Sequence, residues 1–161
     1  MRRRTFQIPS YYVKKDGKLK LDVSYTQDGY FMASVQKKNK HKLKLRVTKG
    51  GETLTYDLNS NAEYEVFPLQ LGSGKYEFSL FENVKGSKYS AEGKMNLTVQ
   101  LVDENAAFLC PNQYVHYTID SPAVAKSDEL VTSDKPAEIY QAVCDFITSE
   151  FSYDFVRAKT I

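Results

Sequence analysis

Tryptophan is absent from the 161 residues, and cysteine and histidine occur only twice each. Cys110 and Cys144 are too few and too far apart for a disulfide framework, and no Cys-x-x-Cys pair or His/Cys cluster has zinc-site spacing. No structural metal and no cofactor are therefore expected. No run approaches the roughly 20 apolar residues that a membrane-spanning helix needs, so no membrane span is expected. The opening Met-Arg-Arg-Arg-Thr-Phe-Gln-Ile-Pro has the basic flank of a signal peptide but no apolar stretch after it, and the sequence as written shows no export address. A strong charge of one sign is missing as well, the net being +2. That balance hides an asymmetry: residues 1–50 hold 14 Lys/Arg against 3 Asp/Glu, while residues 51–161 hold 8 against 17. Such a basic front can mark an anionic partner, but solvated strand faces produce the same pattern.

What is present favours strands. Apolar residues make up 42% of the chain and aromatic residues 13%, with 12 Tyr and 9 Phe, enough for a packed core and a composition suited to sheets. Between residues 19 and 101 apolar and polar residues alternate at period two. Seven strands are predicted at Leu19/Leu21/Val23/Tyr25, Phe31/Ala33/Val35, Leu43/Leu45/Val47, Leu54/Tyr56/Leu58, Tyr64/Val66, Tyr76/Phe78/Leu80 and Met95/Leu97/Val99/Leu101. Asp28-Gly29, Lys49-Gly50-Gly51, Asn59-Ser60-Asn61, Gly72-Ser73-Gly74 and Lys85-Gly86-Ser87 lie between them as turns. Short strands at this spacing predict a mainly β protein with an immunoglobulin-like antiparallel β-sandwich. The run Lys37-Lys38-Asn39-Lys40-His41-Lys42 is expected on a hairpin tip.

Beyond residue 101 the pattern changes. Residues 102–111 read as irregular and residues 113–118 as one more short strand. Ser121-Pro122 then opens a helix running to about Val131, and Ser133-Asp134-Lys135-Pro136 repeats the start signal. Ile139, Val143, Phe146 and Ile147 form one apolar stripe on the second helix, wide enough to require a partner surface. A short two-helix segment is thus expected after the sandwich. The C-terminal residues 151–161 carry apolar side chains to the last position, as in an interrupted domain.

Candidate chemistry is sparse. Cys144 falls inside the second helix, where burial makes an inert thiol the expectation. Cys110, six residues before His116, lacks a recognisable oxyanion hole or orienting carboxylate. His41 is read as a solvated side chain. Gly72-Ser73-Gly74 precedes a strand and has neither the helix nor the Lys-Ser/Thr of a phosphate loop, so it is a turn. Lys42, Lys44 and Arg46 share one strand face, but no aromatic residues are interleaved with them in sequence, which argues against nucleic acid. No catalytic, cofactor-binding or metal-binding residue is expected.

Several segments carry a resemblance. They are Asp22-Val23-Ser24 with Asp28-Gly29-Tyr30, Thr55-Tyr56-Asp57-Leu58-Asn59-Ser60, Tyr64-Glu65-Val66-Phe67-Pro68-Leu69, and Phe81-Glu82-Asn83-Val84 through Lys88-Tyr89-Ser90. Phe108-Leu109, Pro111-Asn112-Gln113-Tyr114-Val115, Ala123-Val124-Ala125-Lys126, Tyr153-Asp154 and Ala158-Lys159 continue it. In this order they resemble bacterial, clostridial-type transglutaminase-like proteins, whose catalytic domain is papain-like. The resemblance implies a sandwich followed by a cysteine hydrolase or acyltransferase domain, with a Gly-x-Cys nucleophile beyond the position of Tyr153-Asp154 and a His and an Asp further on. None of these three has a counterpart in residues 1–161. The expectation is a non-catalytic accessory or scaffolding sandwich over residues 1–118, and the first helices of a transglutaminase-like domain over residues 119–161. The implied partners are that catalytic domain, another protein or a cell-wall surface, and the implied location is extracellular or at the cell surface. A second reading is a free-standing adhesion or carbohydrate-binding sandwich, and a third is recognition of an anionic partner by the basic front.

Overall fold

The computed structural model describes residues 12–115 and 117–159. The chain divides into two compact units, Met1–His116 and Tyr117–Ile161. The first is mainly β and the second helical.

Eight strands build the first unit: β1 (Val13–Asp16), β2 (Leu19–Asp22), β3 (Tyr30–Val35), β4 (Leu43–Lys49), β5 (Glu52–Leu58), β6 (Glu65–Pro68), β7 (Gly74–Lys85) and β8 (Lys88–Val99). They form two four-stranded antiparallel sheets, ordered β1-β2-β3-β6 and β5-β4-β7-β8. The chain changes sheet between β3 and β4, between β5 and β6, and again between β6 and β7. The Lys-rich run of residues 37–42 therefore lies on a crossover between the sheets and not on a hairpin tip. It is anchored there by Asn39, whose N–H donates to Ser60 O and whose side-chain amide donates to Glu82.

Alternation explains the core. Leu19, Leu21, Phe31, Ala33, Val35 and Phe67 from the first sheet face Leu43, Leu45, Val47, Tyr56, Phe78 and Leu80 from the second, all buried in one cluster. Phe31 stacks on Phe67 at 5.4 Å and meets Phe78 edge-on at 4.8 Å, so one aromatic contact runs directly from sheet to sheet. Tyr76 opens the inner row of β7, and its hydroxyl donates to Gly72 O (2.7 Å) and Leu69 O (3.3 Å), pinning the β6–β7 corner.

Strand β3 is buried on both faces. Its outward residues Tyr30 and Met32 join Cys110 in a second cluster, flanked by Tyr25, Tyr64 and Val66. Tyr64 and Val66, expected on the inner face, thus turn outward, and Phe67 and Leu69 fill the core. The irregular segment after β8 covers part of this outer face. Val102 N–H donates to Gln27 O, a 3-10 turn spans Ala106–Leu109, and Gln113 donates to Asp57 O. Gly29 (φ +91°) permits the contact, since a Cβ there would stand 2.5 Å from Ala107 N. The predicted strand over residues 113–118 is absent among its described members. Asn112 instead folds the chain on itself, its Oδ1 accepting from Tyr114 N–H and Val115 N–H.

At one edge the β1–β2 hairpin closes on β8. A bulge opposite Leu80/Phe81 takes Glu92 out of the ladder, and its carbonyl accepts from Lys18 N–H at 2.7 Å. Asp16 accepts from Lys94 N–H, and Gly93 lets the backbones meet, because a Cβ there would collide with Asp16 O and lie 2.9 Å from Leu19 Cβ.

The second unit has three helices where two were expected: α1 (Pro122–Leu130), α2 (Pro136–Glu150) and α3 (Phe155–Ala158). Proline opens α1 and α2 as predicted. Ser121 makes no side-chain cap bond to α1, its Oγ accepting from Thr118 N–H instead. The single turn of α3 is capped by Asp154, which accepts from Val156 N–H and Arg157 N–H. No residue of the three helices is buried. Among the described residues no helix is long and apolar enough to cross a membrane.

Two predictions follow from the core. Phe31→Ala is expected to cost about 3–5 kcal/mol in urea unfolding, because it empties the inter-sheet contact, while exposed Tyr12→Ala should change little. A neutral effect of Phe31→Ala would refute the bridging role. Burial pushes the Tyr76 phenol up to about 12, whereas an unfolded tyrosine ionises near 10. The stability this contributes is complete below pH ~10 and is lost as pH rises toward 12, since the unfolded state sheds the proton first. Tyr76→Phe should flatten that alkaline decline, measured by denaturation at successive pH values, and should also lower stability near neutrality by about 1 kcal/mol.

Candidate functional site

The outward face of the β5-β4-β7-β8 sheet concentrates the side chains best able to hold a ligand. Strand parity turns Leu43, Leu45 and Val47 inward, and so turns Lys44 and Arg46 outward. Pairing in the ladder then supplies what the linear sequence around β4 lacks. Phe81 on β7 lies opposite Lys44, and the Arg46 guanidinium sits over the Phe81 ring at 4.6 Å. The Glu92 bulge shifts the β8 register so that Tyr89 pairs with Asn83, on the same face as Phe81. Were Glu92 paired with Phe81 in a regular ladder, Tyr89 would be opposite Val84 and aimed at the other side. These two rings escaped the reading from sequence because cross-strand pairing over dozens of residues, and a bulge, bring them to β4.

Two adjoining hollows mark this face. One, of about 500 Å³, is lined by Lys44, Arg46, Thr55, Phe81, Ser87 and Tyr89. The other, of about 640 Å³, shares Lys44 and Tyr89 with it and extends along Lys40, Lys42 and Ser60. Lys44 pairs with Asp57 at 2.6 Å, and that contact raises the lysine's pKa, keeping it charged. Among the described residues no salt bridge engages Lys40, Lys42 or Arg46. Glu82 is turned to the inner side with Leu43 and is held by Lys18 at 2.7 Å, so it leaves the outer cations unneutralised.

The other candidates do not converge. Cys110 is buried, and its thiol donates to Ala106 O at 3.3 Å. His116 lies outside the described residues. Cys144 is half-buried in α2, less enclosed than expected. His41 is largely exposed, with Nε2 3.9 Å from Glu82. Gly72-Ser73-Gly74 is a turn leading into β7, tied down by Ser73 Oγ donating to Glu104. Asp22 is fully buried, with Oδ1 accepting from Ser24 N–H. Among the described residues no three His, Cys, Asp or Glu side chains gather where they could hold a metal ion.

Compared with known protein families, curated proteins and solved structures, the chain matches none.

The two thiols should behave differently. Cys144 is expected to react with a thiol reagent such as dithiobis-nitrobenzoate under native conditions, and Cys110 only after unfolding. Native labelling should vanish in Cys144→Ala. Persistence of a native, fast-reacting thiol in that variant would show that Cys110 is accessible.

Proposed function

We propose that residues up to about 118 form a non-catalytic, immunoglobulin-like accessory sandwich, and that the helical residues after it belong to a transglutaminase-like domain whose catalytic groups are not among these 161 residues. The observation that carries this reading is the uncovered apolar surface of the helical unit. Ile139, Val143 and Phe146 are only half-buried, Ile147 is exposed, and Tyr140, Phe155 and Val156 are 72%, 70% and 79% exposed. A helix draws most of its stability from tertiary packing of its apolar face, so these faces call for further polypeptide. Phe146 does meet Phe151 edge-on at 5.7 Å, yet Phe151 is itself mostly exposed.

Support for the immunoglobulin-like reading comes from two features. With β1 set aside as an added edge strand, β2, β3 and β6 follow the order of strands A, B and E, and β5, β4, β7 and β8 that of C′, C, F and G, an order related to the immunoglobulin distribution. Tyr76, near the start of β7 with its hydroxyl bonded back to Gly72 O and Leu69 O, has the geometry of a tyrosine corner. The scaffolding role also agrees with the cysteine environments. Nucleophilic catalysis needs a thiolate activated by an imidazole or a helix N-terminus. The Cys110 thiol is buried against a backbone carbonyl, and Cys144 lies well inside α2.

The test combines hydrogen exchange with activity on the 161-residue chain. Amides of α2 should exchange far faster than those of β7, and removal of residues 117–161 should leave the melting of the sandwich nearly unchanged. Neither ester hydrolysis nor amine incorporation into a glutamine peptide is expected. Turnover abolished by Cys110→Ala or Cys144→Ala, or helical amides as protected as those of β7, would overturn the proposal.

A further inference from the structure

We propose that the outer face of the β5-β4-β7-β8 sheet binds a linear anionic polysaccharide, with Lys40, Lys42, Lys44 and Arg46 pairing to its carboxylate, sulfate or phosphate groups. The inference rests on the sandwich alone and holds whether or not the helical unit belongs to an enzyme.

Charge is the first reason. Asp57 is the one carboxylate lining the two hollows among the described residues, and it is already paired with Lys44. Lys40, Lys42 and Arg46 remain available, and no hydrogen bond of the described residues uses the Arg46 guanidinium, whose carbon lies over the Phe81 ring at 4.6 Å. Stacking also limits the rotamers that Arg46 explores, which lowers the entropy lost when it grips an anion. Along β4, alternate residues recur about every 7 Å. Cations at that repeat suit a polymer whose charges recur along its length better than a compact ion.

Hydroxyl chemistry is the second reason. Thr55, Ser60 and Ser87 line the same hollows, placing short donors and acceptors beside the cations where sugar hydroxyls would lie. Nucleic acid is disfavoured by the same geometry. Binding of a single strand relies on successive open aromatic faces for stacking bases, but the Phe81 ring is covered by Arg46, leaving only Tyr89 and the His41 imidazole as further rings among the described residues lining these hollows.

The experiment titrates the 161-residue chain with heparin and with polygalacturonate, using dextran as the uncharged comparator and 20-mer oligodeoxynucleotides, single- and double-stranded, as the alternative polyanion. Both acidic polysaccharides should bind, more weakly as salt rises, and dextran should not. Lys42→Gln/Arg46→Gln should weaken polysaccharide binding by about tenfold or more and reduce the salt slope by roughly two. Lys14→Gln/Lys15→Gln removes the same charge from exposed β1 and should change affinity less than about twofold if the site is local. Lys40→Gln/Lys42→Gln, confined to the crossover segment, repeats the test without altering the sheet should the first variant fail to fold. Absence of polysaccharide binding at low salt, equal losses in the β1 variant, or tighter binding of either oligonucleotide would each overturn the proposal.

Discussion

The contact of Phe31 with Phe78, reinforced by Phe67 behind it, is the constraint on which the sandwich depends. No disulfide joins the two four-stranded sheets. Their alignment must come from how large side chains interdigitate. Tyr56 packs on Phe67 at 5.2 Å and Tyr76 on Phe78 at 5.9 Å, so the aromatic row extends through both sheets. A protein without tryptophan thereby fills the centre of its core with phenylalanine and tyrosine. The tyrosines also bring hydroxyls that reach the ends of the core, as Tyr76 does at the β6–β7 corner.

Once the sheets are locked face to face, the edge beside β8 can close, and that closure shapes the outer surface. The Glu92 bulge has two effects from one extra residue. It releases a carbonyl to Lys18 of the other sheet, and it reverses the parity of β8 so that Tyr89 arrives beside Phe81, Lys44 and Arg46. An irregularity that tightens the sandwich therefore also assembles the candidate site. The same edge removes Glu82 from the outer face by engaging it with Lys18 and Asn39, leaving the cations of β4 opposed mainly by Asp57.

How much of this could be read from residues alone depends on whether a segment buries one face, both or neither. Strands β2, β4, β5, β7 and β8 are legible because a single buried face imposes period two, and β3, although buried on both faces, keeps Phe31, Ala33 and Val35 in the same alternation. Strand β1 is not legible, since all four of its residues are exposed and carry no apolar alternation. In and beside β6 both sides of the chain meet protein, so Tyr64/Val66 and Phe67/Leu69 are equally apolar in sequence, and only pairing in the sheet decides that Phe67 and Leu69 enter the core. Residues 37–42 have the composition of a hairpin tip yet cross between the sheets, because local turn chemistry does not reveal which sheet the next strand joins. The cations of the candidate site were visible on β4, but its aromatic half was not, because Phe81 and Tyr89 reach it through long-range pairing and a bulge. The start signals of α1 and α2 were legible in their prolines, whereas α3 rests on one aspartate cap.

The two units differ in what their sequences ask of them. In the sandwich nearly every inward apolar residue is covered, and polar groups at its corners find partners: Ser73 N–H and Oγ both donate to Glu104, while Ser73 Oγ accepts from Leu101 N–H. The helical unit has good local signals, including Asp154 at the cap of α3 and ion pairs of Lys126 with Glu129 and Lys135 with Glu138, yet its aromatic side chains stay largely in water. Exposed ion pairs of this kind are weakened by water and salt and cannot hold short helices without tertiary packing. Local helix signals combined with half-filled packing thus set the helical residues apart from the sandwich, whose inward apolar side chains are covered.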